Sequence, residues 1–175
     1  VDFYVGNDAT CTACPTAVTG KVNGAQEFDR TVTRVSVADD DTFDWGQDDS
    51  FTFEFWMNQS AGCSGTDVAD NEVILGRMDA GWWFGVNCGE DPRGHIRAQF
   101  SPGTGTMFST VDVTDGAWHH IVFVFDADAD EMRLYIDGAL DNSKSWVGRD
   151  LSAADDLTVG WFGSAYGYTG LLDEL

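Results

Sequence analysis

Apolar and polar residues alternate along most of this chain, in short runs. His120 to Phe125 reads HIVFVF, and Met132 to Ile136 reads MRLYI. Both runs have strand length and strand composition. The segment between them, Asp126-Ala-Asp-Ala-Asp-Glu131, leaves room for a turn and none for a helix. In SFTFEFWM (Ser50 to Met57), Phe51, Phe53, Phe55 and Met57 share one face, with Thr52, Glu54 and Trp56 on the other. A Trp on the second face suggests a strand covered on both sides. Further strands are expected near 26–30 and 32–37, in EVILGRM, WWFGVNC, GHIRAQF, MFSTVDV and LTVGWF, and in the terminal GLLDEL. Residues 1–24 are turn-rich and read as an irregular lead-in with at most one short strand, and 138–156 reads as a loop. The chain stops where a strand has just begun, so that strand's last partner is expected to be missing. About ten or eleven short strands at near-regular spacing, without a helix, repeat or linker, predict one all-β domain over 1–175, a sandwich or jelly roll of antiparallel sheets.

Composition agrees with that class: 43% hydrophobic residues and 20 Gly, with few helix formers. No apolar run approaches the roughly 20 residues of a membrane helix, so insertion by this domain is not expected. No signal peptide is visible, and a chain that does not begin with Met is compatible with a removed leader. The charge changes the picture more. Asp and Glu number 30 against 9 Lys and Arg, a formal net charge of −21. Such a surface repels nucleic acid and anionic lipid, which excludes both as partners. It suits a protein of salty or marine water, an oxygen donor to hard cations, or a surface for a basic partner.

Cys11, Cys14, Cys63 and Cys88 allow three pairings. Cys11 and Cys14 close a small loop in CTACP, and Cys63, in a Gly/Ser loop, is left for Cys88 at a strand end. Pairing 11 with 14 and 63 with 88 implies an oxidising compartment, secreted or on the cell surface. A zinc site lacks its second CxxC, and thioredoxin-like chemistry lacks a βαβ setting.

Several stretches together resemble the laminin G-like, or concanavalin A-like, jelly-roll domains. They are Asp115-Gly116, Trp118-His119-His120-Ile121 and Leu134-Tyr135-Ile136-Asp137-Gly138, flanked by Ala25 to Asp29, Val35 to Val37, Ser50 to Trp56, Leu157 to Gly160 and Gly170 to Glu174. The matches run in the family's order from about residue 25 to the end. The resemblance implies two antiparallel sheets around a core for which Phe28, Val35, Phe53, Phe55, Trp118, Ile121, Phe123, Leu134, Ile136 and Val159 are the candidates. It also implies one structural calcium, held by the Asn23-Gly24 turn and the Asp173 carboxylate. Function follows less directly, because the family includes glycan binders, adhesive modules and structural passengers on enzymes.

Catalytic patterns are missing from the sequence. His119 and His120 point to opposite faces of a strand and do not grip one metal. Asp126 to Glu131 opens like an EF-hand loop, but Glu131 stands where Gly is required and Asp137 where Glu is required. The alternating acids of jelly-roll glycosidases are absent, Glu54 standing alone, and there is no G-x-S-x-G or phosphate loop. The domain is read as no enzyme. Trp82, Trp83, Trp146, Trp161, Tyr166 and Tyr168, in or beside loops, exceed what a core obviously needs. Trp82 and Trp83 must face opposite ways, so one should look outward. Ring faces beside Asp and Asn suit a sugar, whose C–H face stacks while its hydroxyls meet acids and amides. The sequence thus predicts non-catalytic recognition or adhesion, with a polysaccharide or glycan as the first ligand class. The alternative is a structural protein–protein module of a surface or filament assembly. Asn58-Gln-Ser60 is also a formal glycosylation acceptor.

Overall fold

A computed structural model describes residues 7–31, 33–59, 63, 67, 70–100 and 105–175. Residues 1–6 of the expected lead-in, Ser60 of the glycosylation acceptor and 101–104 of the Gly/Ser/Thr/Pro stretch lie outside the described residues. The strands, in chain order, begin with β1 (Ala9–Thr10), β2 (Thr16–Thr19), β3 (Gly24–Asp29), β4 (Val35–Val37) and β5 (Phe51–Asn58). Next come β6 (Glu72–Arg77), β7 (Trp82–Asn87), β8 (His95–Phe100), β9 (Gly105–Asp112), β10 (Trp118–Asp126) and β11 (Glu131–Ile136). The last are β12 (Ala139–Ser145), β13 (Leu157–Val159), β14 (Trp161–Phe162), β15 (Tyr166–Gly167) and β16 (Thr169–Asp173). A 3-10 turn stands at Asp41–Phe43.

Two seven-stranded antiparallel sheets form a jelly-roll sandwich, the first ordered β1-β4-β13-β6-β7-β8-β9 and the second β12-β11-β10-β5-β16-β3-β2. Side-chain alternation fixes which face is inside. On β10, Ile121, Phe123 and Phe125 are buried, and Val122 and Val124 between them face outward. Phe53 of β5 meets Trp82 of the first sheet with ring centroids 5.3 Å apart, and Phe100 meets Phe123 across the sandwich at 5.4 Å. Offset aromatic contacts of this kind add to the free energy of area burial. At one side β12 side chains hold the β9 backbone: Asn142 Nδ2 donates to Phe108 O at 2.8 Å and Lys144 Nζ to Thr106 O at 2.7 Å. These bonds occupy carbonyls of an edge strand that would otherwise be open to pairing.

Several expectations need correcting. Trp118 is only half-buried, because the phase set by Ile121, Phe123 and Phe125 puts it on the outer face with His120. Val35 is likewise partly buried, against the core and not within it. The lead-in contains β1 and also β2, which pairs with β3 at the edge of the second sheet. The strand β16 is not short of a partner, since it lies between β3 and β5. The expected 138–156 loop begins with β12, whose polar ALDNSKS suits an edge strand and gives little hydrophobic signal. Covered on both faces is β6, where every residue is buried, whereas Thr52 and Glu54 of β5 are exposed.

One end of the sandwich is organised by a single cation. Arg77 is 0% exposed. Its guanidinium donates to Asp39 Oδ1 at 2.6 Å, Asp44 Oδ1 at 2.8 Å, Phe43 O at 2.9 Å and Asp155 O at 3.1 Å. The acidic runs around residues 39–44 and 153–156 are therefore folded back on a buried positive charge.

Candidate binding face on the outer side of the first sheet

The outer face of the first sheet carries a continuous row of residues in register. Thr10 lies opposite Ser36, Ser36 opposite Thr158, and Thr158 opposite Gly76; the row continues through Trp83, Gln99 and Thr106. Each is out of phase with a core neighbour: Phe84 for Trp83, Ala98 for Gln99 and Met107 for Thr106. A solvated sheet face is expected to be polar. This one has a half-buried indole at its centre.

Glycine places a second ring beside that indole. A Cβ on Gly76 would lie 2.8 Å from Phe162 Cδ2 and 3.0 Å from Trp83 Cβ, so only glycine lets the β14–β15 hairpin lie this close over β6. Phe162 and Tyr166 of that hairpin have ring centroids 6.3 Å apart, and Trp161 Nε1 donates to Gly163 O at 2.8 Å. All three rings are half-buried, so part of each stays open to solvent.

On the other side of Trp83, the Arg97 guanidinium stands 5.1 Å from the Trp83 ring centroid and 5.3 Å from that of Phe108. Cation–ring attraction holds both rings in place. The same guanidinium donates to Gln99 Oε1 at 2.7 Å, Asn87 Oδ1 at 3.1 Å and Glu90 Oε1 at 3.1 Å. Burial pulls its pKa below the ordinary value, with Glu90 opposing. The face therefore combines Trp83, Phe162, Tyr166 and Phe108 with the amide of Gln99 and the hydroxyl of Thr106, which donates to Gln99 Oε1 at 3.0 Å.

Of the aromatic residues proposed from the sequence, Trp83 lies on this face and Tyr166 in the hairpin beside it, Trp161 is half-buried in the same hairpin next to Phe162, and three others lie elsewhere. Trp82 is 0% exposed and stacks in the core. Trp146 packs on Phe100 and Phe125, at 5.2 and 4.9 Å. Tyr168 is buried beneath the second sheet. These rings offer no face to a ligand. Trp82 shares the phase of Phe84 and Val86, which settles which of the two adjacent tryptophans looks outward. Sequence reasoning missed Phe108, Phe162 and Arg97. Gly76 inside an otherwise apolar strand was the available signal, since such a glycine often marks a close approach.

The histidine signature is a structural latch. His119 Nδ1 lies 2.8 Å from Asp137 Oδ2 and its Nε2 3.1 Å from Asp115 Oδ1. Burial lowers the imidazole pKa, but the two carboxylates outweigh it and raise it. Asp137 Oδ1 accepts from His120 N at 2.9 Å, and the turn follows through Asp137 and Gly138 at φ of 52° and 82°. The latter conformation suits glycine.

Of the residues proposed for calcium, Asp173 lies against the β2–β3 turn that contains Asn23. Asp173, 4% exposed, accepts a hydrogen bond from Val22 N at 2.8 Å, and Gly20 N donates to Asn23 O at 3.2 Å within the β2–β3 turn. The donors are hard oxygens of the right type, but Asp173 is the single carboxylate among Asn23, Gly24 and Asp173. Among the described residues no group of three or more His, Cys, Asp or Glu side chains is gathered for a metal. Both disulfides, Cys11–Cys14 and Cys63–Cys88, are formed, and no cysteine is free.

A family model described as the concanavalin A-like lectin/glucanases superfamily matches residues 29–175. No curated protein matches significantly. Among solved structures, the binding domain of Paraclostridial Mosquitocidal Protein 1 superposes with a TM-score of 0.75 at 16% identity, covering 95% of this chain and 42% of that one. Domain 4 of AbnA, a GH43 extracellular arabinanase from Geobacillus stearothermophilus, in complex with arabinotriose, gives 0.65 at 14% identity, covering 91% of this chain and 72% of that one. Domains LG4-5 of the mouse laminin α1 chain give 0.61 at 13% identity, covering 99% and 46%. This chain thus spans less than half of the mosquitocidal and laminin structures. At these identities the structural likeness speaks for the fold alone. The chain belongs to the concanavalin A-like lectin/glucanases superfamily.

Proposed function

We propose that this member of the superfamily is a non-catalytic recognition module that binds carbohydrate on the outer face of its first sheet. The observation that carries the reading is the row through Gly76, Trp83, Gln99 and Thr106, flanked by Phe162 and Phe108. A sugar ring stacks its C–H face on an indole while amide and hydroxyl side chains take its hydroxyls. The arabinotriose in the AbnA domain supports the ligand class by fold analogy. Two disulfides support secretion or surface display. A glycan array read with and without calcium, followed by Trp83→Ala on the best ligand, tests the reading. Binding to at least one polysaccharide, lost in Trp83→Ala, is expected. No binding to any polysaccharide in either condition overturns it.

A second reading, a protein–protein contact in a surface assembly, draws on the second sheet. There Leu140, Tyr135 and Val122 lie in one row on the outer face, with Leu140 56% exposed. A Leu140→Glu variant that loses an assembly partner while keeping glycan binding favours it.

Calcium enters as a structural ion. Asp173 and the carbonyls of the Asn23-Gly24 turn would hold it, with water completing the six to eight oxygens it takes. Tying this turn to the last strand would stabilise the fold through preferential binding to the folded form. A melting temperature that falls on chelation and recovers with calcium, but not in Asp173→Ala, is expected. No metal in untreated protein and no response to chelation ends the proposal.

A further inference from the structure

The ligand class narrows further, on the reading that the Trp83 face is a glycan site. We infer that this face selects uncharged polysaccharide and rejects uronates and sulfated glycans. The inference rests on the one guanidinium beside the rings being already committed. Arg97 Nη1 donates to Asn87 Oδ1 and Glu90 Oε1, and Nε and Nη2 both donate to Gln99 Oε1. Four of its five N–H groups are thus spent on the protein's own oxygens, which leaves no pair of parallel donors for the fork that usually grips a carboxylate or sulfate. The guanidinium carbon also lies 5.1 Å from the Trp83 ring centroid and 5.3 Å from that of Phe108. Lys144, at the β9 end of the row, is held back towards the strand edge by the bond from its Nζ to Thr106 O at 2.7 Å.

An anion reaching Trp83 would therefore gain no guanidinium fork, and it would approach Glu90, whose side chain is 54% exposed, on a chain of net charge −21. Displacing Glu90 from Arg97 to make room would leave that carboxylate beside the incoming one. Like-charge juxtaposition at an interface costs several kcal/mol. An uncharged chain meets none of these penalties. It finds ring faces, which need no free donor, and the Thr106 hydroxyl oxygen, which can accept from a sugar hydroxyl while its own proton stays on Gln99 Oε1. Arg97 then acts as a positioning residue: it fixes the two rings and the Gln99 amide without touching an anionic ligand.

Matched polymers isolate charge from backbone: dextran against dextran sulfate, galactan against sulfated galactan, and arabinoxylan against glucuronoxylan. Affinity electrophoresis at about 20 mM salt and again at about 500 mM reads the difference, since screening shortens the reach of charge repulsion. The expected result is retention by at least one uncharged polymer, at least about tenfold tighter than its charged partner at low salt, with the gap narrowing at high salt. Trp83→Ala should lose that retention. Arg97→Gln should weaken retention of the uncharged polymer without creating any for the sulfated one. Retention of a charged partner as tightly as its uncharged form, sensitive to Trp83→Ala, overturns the charge inference and leaves the binding face standing. Retention indifferent to Trp83→Ala, or none with any polymer, overturns the face itself and the inference with it.

Discussion

Glu72 makes the stability of this acidic protein fall as the pH rises towards neutrality. At the start of β6 the side chain is 3% exposed, and its Oε2 accepts from Thr169 N at 2.8 Å and from Gln59 Nε2 at 3.2 Å. Arg30 Nη1 donates to Oε1 at 3.3 Å, and Asp70 lies beyond Arg30 at 3.7 Å. Burial pushes the carboxyl from 4.5 up to about 7, against the pull of the Thr169 amide and Arg30. A raised carboxyl pKa means that the folded state binds the proton more tightly than the unfolded chain. The stabilisation is therefore complete below 4.5 and lost as the pH rises through about 7. The difference amounts to about 3 kcal/mol for a group this buried. His119, whose pKa is also raised in the fold, adds a slope of the same sign, lost as the pH rises through its folded value. Urea denaturation at a series of pH values from 5 to 8 should show the decline. Glu72→Gln, which keeps the size and can still accept from Thr169 N, should remove most of it and leave the smaller slope of His119. A wild-type stability that is flat or rising over this range, or a Glu72→Gln variant with an undiminished slope, refutes the reasoning.

Arg77→Met should cost about 3–5 kcal/mol in urea denaturation, because Asp39, Asp44 and Asp155 lose the buried cation they surround. A loss below about 1 kcal/mol would mean that these loops fold without it. Opening Cys63–Cys88 by a double Cys→Ala substitution should cost about 3 kcal/mol, because that link closes the longer loop, with a sequence separation of 25. Opening Cys11–Cys14, with a separation of 3, should cost less, and equal losses would contradict the loop-length argument. Trp82→Ala should lower stability by about 3–5 kcal/mol as a core truncation, which a thermal melt at constant pH reads directly.

The fold was legible because strands with one buried face announce themselves by period. HIVFVF and MRLYI became β10 and β11 paired through Ile121–Ile136 and Phe123–Leu134. Period alone did not give β12, where Ala-Leu-Asp-Asn-Ser-Lys-Ser carries no apolar alternation and pairs by its backbone. Nor did it give the role of each aromatic residue. Trp146 follows a polar edge strand and looks like a loop ring, yet it closes the core on Phe100 and Phe125. Phe162 looks like the end of a buried strand, yet after the positive-φ Gly160 its hairpin folds back over Gly76 on the outside. Which face a ring occupies depends on the phase of its strand and on what crosses above it, and the second of these is tertiary. The convergence of Trp83, Arg97 and Phe108 comes from β7, β8 and β9 lying in register, which no local pattern specifies.

The most direct test of the account is the binding of Trp83→Ala to the uncharged polysaccharide that the wild-type protein retains best, measured by titration calorimetry beside Trp161→Ala and the wild type. Removing the half-buried indole should leave the circular dichroism and the cooperativity of unfolding unchanged while weakening binding by at least about tenfold, as for a central aromatic contact. A folded Trp83→Ala protein that binds as tightly as the wild type would contradict the claim that the outer face of the first sheet is the recognition surface.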